Sequence, residues 1–194
     1  MNYLAHLWLT EQAGLPLAGA VLGDMVHGRL DGHFPRELER SIRLHRRVDV
    51  VTDAHPLVAA ARTRFGPGAR RYAGIVLDVV YDHCLARDWQ RYHPQSLAEF
   101  ARAAATAVCA EREGFVLAGR GAPSSWRMHR LLRSYANPRG IDLAQRRTAR
   151  WLKKPEGLIE AGRDWREHAA AATDDLPQLL EDLGTAARRF AEEE

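Results

Sequence analysis

Apolar residues recur every three or four positions along most of the chain, and no stretch alternates apolar with polar residues as a half-buried strand would. This spacing is typical of amphipathic helices. Glycine and proline residues break the pattern at intervals, as they do between helices. The sequence therefore predicts an all-α fold, a single-domain bundle of roughly nine helices that spans residues 1–194.

Several helix boundaries follow from these breaks. Asn2 is expected to cap a first short helix. A second helix should carry Asp24 on its apolar stripe and end at Gly28. The central helix is expected from about Arg70 to Tyr92, and the last part of the chain should form two helices separated near Thr173. Loops are expected at 119–125, 137–140 and 154–157.

The central helix contains the most unusual polar residues. Asp78 and Asp82 lie one turn apart, His83 follows, and apolar residues surround them. Buried carboxylates are rare unless they are paired or bind a metal, so a divalent cation is one explanation. The alternative is structural: a buried aspartate caps a neighbouring helix and the histidine is only hydrogen-bonded.

Similar residues occur on other apolar helix faces. The full set is His6, Asp24, His45, Asp49, Asp78, Asp82 and His83. Mixed imidazole and carboxylate ligands suit Mn²⁺, Fe²⁺, Zn²⁺ or Mg²⁺, and the excess of carboxylates favours Mn²⁺ or Mg²⁺. Such a metal can activate water for attack at phosphorus. The chain has no P-loop, no dinucleotide-binding glycine pattern and no Gly-x-Ser-x-Gly motif.

Composition limits the class of protein. Apolar residues make up 46% of the chain and charged residues 27%, which is typical of a globular protein. No apolar run reaches membrane-spanning length, and the N-terminus lacks the features of a signal peptide. Cys84 and Cys109 match no disulfide or zinc spacing, so we expect free thiols and a cytoplasmic protein.

Charge is unevenly distributed, although the net charge is only +3. The basic segment, residues 120–154, contains ten Lys and Arg residues and a single acid, Asp142. Such asymmetry favours an acidic partner: nucleic acid, anionic lipid or an acidic protein. The alternative is an arginine-rich surface that is merely solvated.

Four blocks of sequence contain these polar residues: Met1–Leu7, Leu22–Gly28, His45–Asp49 with Thr52–Asp53, and Leu77–His83. In order and spacing they resemble the acyl carrier protein phosphodiesterases, a family similar to the HD-type metal phosphohydrolases. Together they cover about the first ninety residues. HD proteins are named for a His-Asp pair, whereas the adjacent pair here has the order Asp82-His83.

The resemblance implies a hydrolase that removes 4′-phosphopantetheine from the serine of holo-acyl carrier protein, with Mn²⁺ as the expected metal and Mg²⁺ as the alternative. The expected metal ligands are Asp24, Asp78, Asp82 and His83, with His6 as a fifth ligand or a partner of one. We expect His45, held by Asp49, to protonate the serine oxygen. The expected substrate-binding residues are Arg46, Arg47, Arg130 and Arg133. The basic segment should dock the acidic carrier protein, and neither nucleic acid nor a membrane is expected as a partner.

Other functions fit some of the same residues. An HD-type hydrolase of a small nucleotide would share the metal site and need no docking surface. A non-enzymatic nucleic-acid binder would use the basic segment but would leave the buried acids without a purpose. A purely structural metal site is a third alternative.

Overall fold

The computed structural model describes residues 1–150, 152 and 154–193. Within these residues there are eleven α-helices and no strand, which confirms the all-α prediction. The helices are α1 Tyr3–Gln12, α2 Gly19–Leu22, α3 Arg36–Ala54, α4 Pro56–Thr63, α5 Ala73–Arg87, α6 Leu97–Ala110, α7 Arg112–Leu117, α8 Ser125–Ser134, α9 Pro138–Ala149, α10 Pro155–Ala161 and α11 Trp165–Glu193. Nine of the eleven contain seven or more residues. The HD-like label and the single domain over 1–194 stay predictions.

Helix α5 lies at the centre of the protein, as its sequence predicted. Both its faces are apolar, and most of its residues are buried, including Val76, Val80 and Leu85. It contacts α1, α4, α9, α10 and α11. A helix that is apolar all round is stable only where neighbours cover it on every side. The surrounding helices therefore take their positions from α5.

Asp82 of α5 joins this central helix to the start of α1. Its Oδ2 accepts a hydrogen bond from the Leu4 N–H at 2.7 Å, and its Oδ1 accepts from the N–H groups of Asn2 and Ala5, each at 3.2 Å. The first N–H groups of a helix have no acceptor within the helix, and a carboxylate there also interacts favourably with the helix dipole. Asn2 adds the expected cap by accepting from the Tyr3 N–H at 2.8 Å. Asp82 is thus a cap supplied by another helix.

Helix α2 is much shorter than predicted. It ends at Leu22, and Asp24 lies in the turn that follows, with 53% of its side chain exposed. Arg46 of α3 donates hydrogen bonds to the carbonyl groups of Val26 and Gly28, each at 2.8 Å. These two contacts hold the chain in a turn after Leu22. The prediction that Asp24 lies on a buried helical stripe is therefore wrong.

The C-terminal third also differs from the prediction. Residues 165–193 form one helix rather than two: the Thr173 hydroxyl donates to the Ala169 carbonyl within it at 2.7 Å, and Pro177 lies inside it. Its buried leucines pack on α3 and α5, and this packing outweighs the cost of an internal proline.

Pro138 and Pro155 begin α9 and α10, although loops were predicted there, because proline is well suited to the first turn of a helix.

The central helix is shorter at both ends than predicted. Short 3₁₀ turns at Arg70–Tyr72 and Trp89–Arg91 flank α5 instead of extending it.

Both cysteines are free, as expected. None of the helices that the structure describes is both long and apolar enough to cross a membrane.

We expect Asp82→Ala to lower the free energy of unfolding by about 2–4 kcal/mol, since three N–H groups would lose their acceptor in a buried setting. Urea unfolding followed by circular dichroism measures this. The matched control is Asp53→Ala, which removes an exposed aspartate paired with Arg62 and should change stability by less than about 0.5 kcal/mol. An Asp82→Ala protein as stable as the Asp53→Ala control would contradict the capping role.

Candidate metal centre

Three side chains from two helices converge at one point. His6 of α1 and His45 and Asp49 of α3 each place a potential metal-ligand atom within 4.8 Å of the others. The two oxygens of Asp49 lie 3.1 Å from His6 Nε2 and 3.2 Å from His45 Nε2. The imidazole rings stack with their centroids 4.0 Å apart, and both histidines are only 3% exposed. We call these three residues the His-Asp cluster.

The tautomer of His45 follows from its other ring nitrogen. Nδ1 lies 2.9 Å from the carbonyl oxygen of Ala20, and a carbonyl can only accept, so Nδ1 carries the hydrogen. In a neutral ring the lone pair is then on Nε2. That nitrogen faces Asp49 and also Asp24, whose Oδ1 lies 3.3 Å away. A lone pair opposite two carboxylates is favourable only with a cation between them, either a proton or a metal.

The pKa values of the cluster residues reflect this need for a cation. Burial lowers the pKa of His45, but hydrogen bonds and charge interactions with Asp24 and Asp49 outweigh burial and raise it to about 9. For His6 burial prevails and lowers the pKa to about 4, despite its hydrogen bond to Asp49. Burial would raise the pKa of Asp49, but the two histidines hold it far below its usual range. In the absence of a metal, His45 carries the positive charge at neutral pH.

Close approach of α2 and α3 sets the position of His45. His45 and Asp49 are four residues apart on α3 and therefore share a face. On the other side, a Cβ added to Gly23 would lie 2.2 Å from Cγ of His45, so only glycine allows the ring to occupy this place. Gly19 approaches Ser41 in the same way. The ring of His45 is thus confined between Gly23 and the ring of His6.

Two neighbouring cavities lie near the turn that carries Asp24. The polar cavity, about 380 Å³, is lined by Asp24, Asp78 and Arg147 among others. The apolar cavity, about 460 Å³, lies between the turn after α2 and helices α8 and α9. Tyr3, Leu131 and Arg147 line both cavities. Since Asp24 contacts His45 and also lines the polar cavity, the cluster is next to a site that a ligand can enter.

Comparison with known proteins places the chain in a family. A model of the acyl carrier protein phosphodiesterase family matches residues 1–183. The chain belongs to this family. Proteins named acyl carrier protein phosphodiesterase from Yersinia pestis, Photorhabdus laumondii and Escherichia coli are 49%, 45% and 43% identical over 94, 94 and 114 residues. These matches cover 48%, 48% and 58% of the chain and 49%, 48% and 55% of the relatives, so the chain spans about half the length of the relatives it matches. No solved structure shows a significant match.

The sequence blocks that resemble this phosphodiesterase family meet at the site, but not all their polar residues join the cluster. Asp78 lines the polar cavity, and its Oδ1 accepts a hydrogen bond from the α-amino group of Met1 at 2.7 Å. Burial raises the pKa of Asp78, although the α-amino group opposes this. Metal ligation by Asp78 stays a prediction, and the amino group now occupies one of its oxygens.

Asp82 and His83 have structural partners instead. The oxygens of Asp82 accept the N–H groups at the start of α1, and burial raises its pKa to about 7 despite these donors. His83 donates from Nδ1 to the Tyr135 carbonyl at 2.7 Å, and its ring packs edge-on against Trp165 at 5.1 Å. Among the described residues, neither belongs to the cluster. Metal ligation by Asp82 and His83 stays a prediction: both oxygens of Asp82 already accept backbone N–H groups, whereas the contact of His83 with Tyr135 uses Nδ1 and not Nε2.

The four arginines expected to bind substrate also differ in their contacts and exposure. Both terminal nitrogens of Arg46 donate to the turn after α2, whereas Arg47 is exposed. Arg133 is exposed on α8, and Arg130 lies over the ring of Trp126 at 4.5 Å and lines the apolar cavity. Lys153 of the basic segment lies outside the described residues.

From the sequence, Arg147 was expected only as a docking residue of the basic segment, and Tyr3 had no assigned role; both line both cavities. Arg147 was one of ten basic residues in its segment, and only the packing of α9 on α5 brings it to the polar cavity. Tyr3 looked like an ordinary residue of the first helix. Its proximity to the site depends on the cap by Asp82, which no local pattern indicates.

We expect the affinity of the metal-free protein for Mn²⁺ to rise by up to about tenfold per pH unit as pH increases toward 9, because the metal must displace the proton on His45. The sign follows from the raised pKa of His45: its imidazolium stabilises the metal-free fold at lower pH, and this contribution is lost as pH rises through about 9. Calorimetric titration with Mn²⁺ at several pH values tests this.

The control is His45→Gln, which cannot titrate and should bind Mn²⁺ weakly and with a much shallower pH dependence. An affinity in the unsubstituted protein that does not change between about pH 7 and pH 9 would contradict this assignment of His45.

Proposed function

We propose that the chain hydrolyses the phosphodiester that joins 4′-phosphopantetheine to a serine of holo-acyl carrier protein, with a divalent metal held by the His-Asp cluster. The observation that carries the proposal is the Nε2 atom of His45, which faces Asp24 and Asp49 at 3.3 and 3.2 Å. Membership of the acyl carrier protein phosphodiesterase family supports the substrate. The names of the relatives support it as well.

The residues present fit a metal. A metal-binding histidine usually donates its other ring N–H to a carbonyl or carboxylate, as His45 does to Ala20. Two imidazoles with one carboxylate suit Mn²⁺ better than Mg²⁺, which prefers oxygen ligands. When bound, such an ion supplies positive charge that acidifies water and stabilises the charge on phosphoryl oxygens. Asp24 lies beside His45 as a further carboxylate for the same site.

Our assignment changes the role expected for His45. A ligand uses the Nε2 lone pair, so the same nitrogen cannot also deliver a proton to the serine oxygen. We favour ligation, because Nε2 faces carboxylates and Nδ1 is already bonded. In the overall reaction, the water oxygen forms a bond to phosphorus, the bond from phosphorus to the serine oxygen breaks, and one water proton ends on serine. The products are apo-carrier protein and 4′-phosphopantetheine.

The chain's own residues provide the rest of the site. Arg147 lines both cavities and is exposed, which suits a guanidinium that binds the phosphodiester as it enters. Beside the cavities, helices α8 and α9 expose Arg133, Arg139 and Arg146. Carrier proteins are acidic, so complementary charge would speed association on this surface. The two free thiols are compatible with action in the cytoplasm.

Mass spectrometry of holo-acyl carrier protein after incubation with the protein and Mn²⁺ tests the function. We expect the carrier protein to lose the mass of the phosphopantetheine group. The double variant Arg133→Glu/Arg146→Glu should lower kcat/KM on carrier protein, relative to kcat/KM on a small diester such as bis(p-nitrophenyl) phosphate, by about tenfold at low salt. High salt should reduce this difference.

The matched control is Arg36→Glu/Arg102→Glu, which changes the charge equally at exposed arginines on α3 and α6 and should leave that ratio within about twofold of the original. A carrier protein whose mass never changes would show that the substrate is wrong. Equal effects of the two double variants would place the docking surface elsewhere.

A further inference from the structure

The apolar cavity has no role in the chemistry described so far. Its walls are mainly the apolar side chains of Val21, Met25, Trp126, Leu131 and Leu143. Trp126 is 62% exposed and Leu143 is 55% exposed, so two large apolar side chains meet water at the same cavity. Single exposed apolar residues are common, but two that border one concave site point to a ligand.

The apolar cavity is connected to the metal centre through the turn after α2. Val21 and Met25 line the apolar cavity, whereas Asp24, which is adjacent to Met25, lines the polar cavity and contacts His45. Arg147 borders both cavities. The two cavities also share Tyr3 and Leu131, so a ligand with its phosphate at the polar cavity lies next to the apolar one.

We propose that the apolar cavity binds the pantetheine arm of the substrate, with the amide-and-methylene chain along Met25 and Leu131 and its thiol end toward Trp126 and Leu143. This inference rests on the function proposed above and adds the direction of the substrate. The arm extends from the phosphate into the apolar cavity, and the serine side of the diester stays at the cavity mouth, from which the carrier protein can reach the exposed arginines of α8 and α9.

The chemistry of the arm fits this cavity. The arm is neutral and mostly apolar, with two amides and a dimethyl-substituted carbon, so it needs apolar walls and a few hydrogen-bonding groups. Ser124 and Ser134 provide hydroxyl groups in a cavity of about 460 Å³, which is within the usual range for small-molecule sites. The guanidinium of Arg130 lies over the Trp126 ring, 4.5 Å from its centroid, and helps to hold the ring in place.

The test fills the cavity from its exposed side. Leu143→Trp should weaken competitive inhibition by pantetheine, which lacks the phosphate, by about tenfold or more, and should raise KM for holo-carrier protein relative to that for a small diester by a similar factor. Val116→Trp is the matched control: Val116 is 71% exposed on α7 and does not line the cavity, so both quantities should stay within about twofold.

Binding can also be measured without turnover. Pantetheine should change the tryptophan fluorescence of the unsubstituted protein, and Trp126→Phe should abolish that change. If Leu143→Trp and Val116→Trp behave alike in inhibition and KM, the arm does not occupy this cavity, even when holo-carrier protein is cleaved. If holo-carrier protein is not cleaved, the function fails, and the fluorescence of Trp126 alone decides whether the cavity binds the arm.

Discussion

The cap that Asp82 provides for α1 is the contact on which the candidate site depends. Three N–H groups at the start of α1 bond to this one buried carboxylate of the central helix. His6 lies immediately beyond them on α1, so the cap also sets how far His6 projects toward α3. A buried acid that acts structurally thus positions a residue of the metal centre. The cost of burying the charge, seen in a pKa of about 7 for Asp82, is offset by the order it gives to α1.

The His-Asp cluster then presents a second electrostatic constraint. Gly23 and the ring of His6 confine the imidazole of His45, and Ala20 binds its Nδ1 atom. Its remaining nitrogen, Nε2, faces the carboxylates of Asp24 and Asp49, so a cation at this position is favourable. A proton meets this need in the metal-free protein. A divalent ion also meets this need, and it can bind several of these side chains at once. This is the physical basis of the proposed activity.

Sequence reasoning predicted the helical class, the buried central helix and the elements that meet at the site. It could not assign the individual acids, because an aspartate that caps another helix and an aspartate that binds a metal look alike on an apolar face. The structure shows that Asp82 caps α1, and that Asp24 lies in a turn where Arg46 holds the chain. Arg147 was expected on a docking surface and not at the cavities, since only the packing of α9 brings it there. Long-range contacts decided each case, and periodicity carries no information about them.

The central claim is that His6, His45 and Asp49 hold a catalytic metal. Pulsed electron paramagnetic resonance of the Mn²⁺-loaded protein, with ¹⁵N-labelled histidine, tests it most directly. We expect couplings from two imidazole nitrogens, with one lost in His6→Ala and none lost in His83→Ala. Mn²⁺ bound without imidazole coupling, or with a coupling that disappears in His83→Ala, would contradict it.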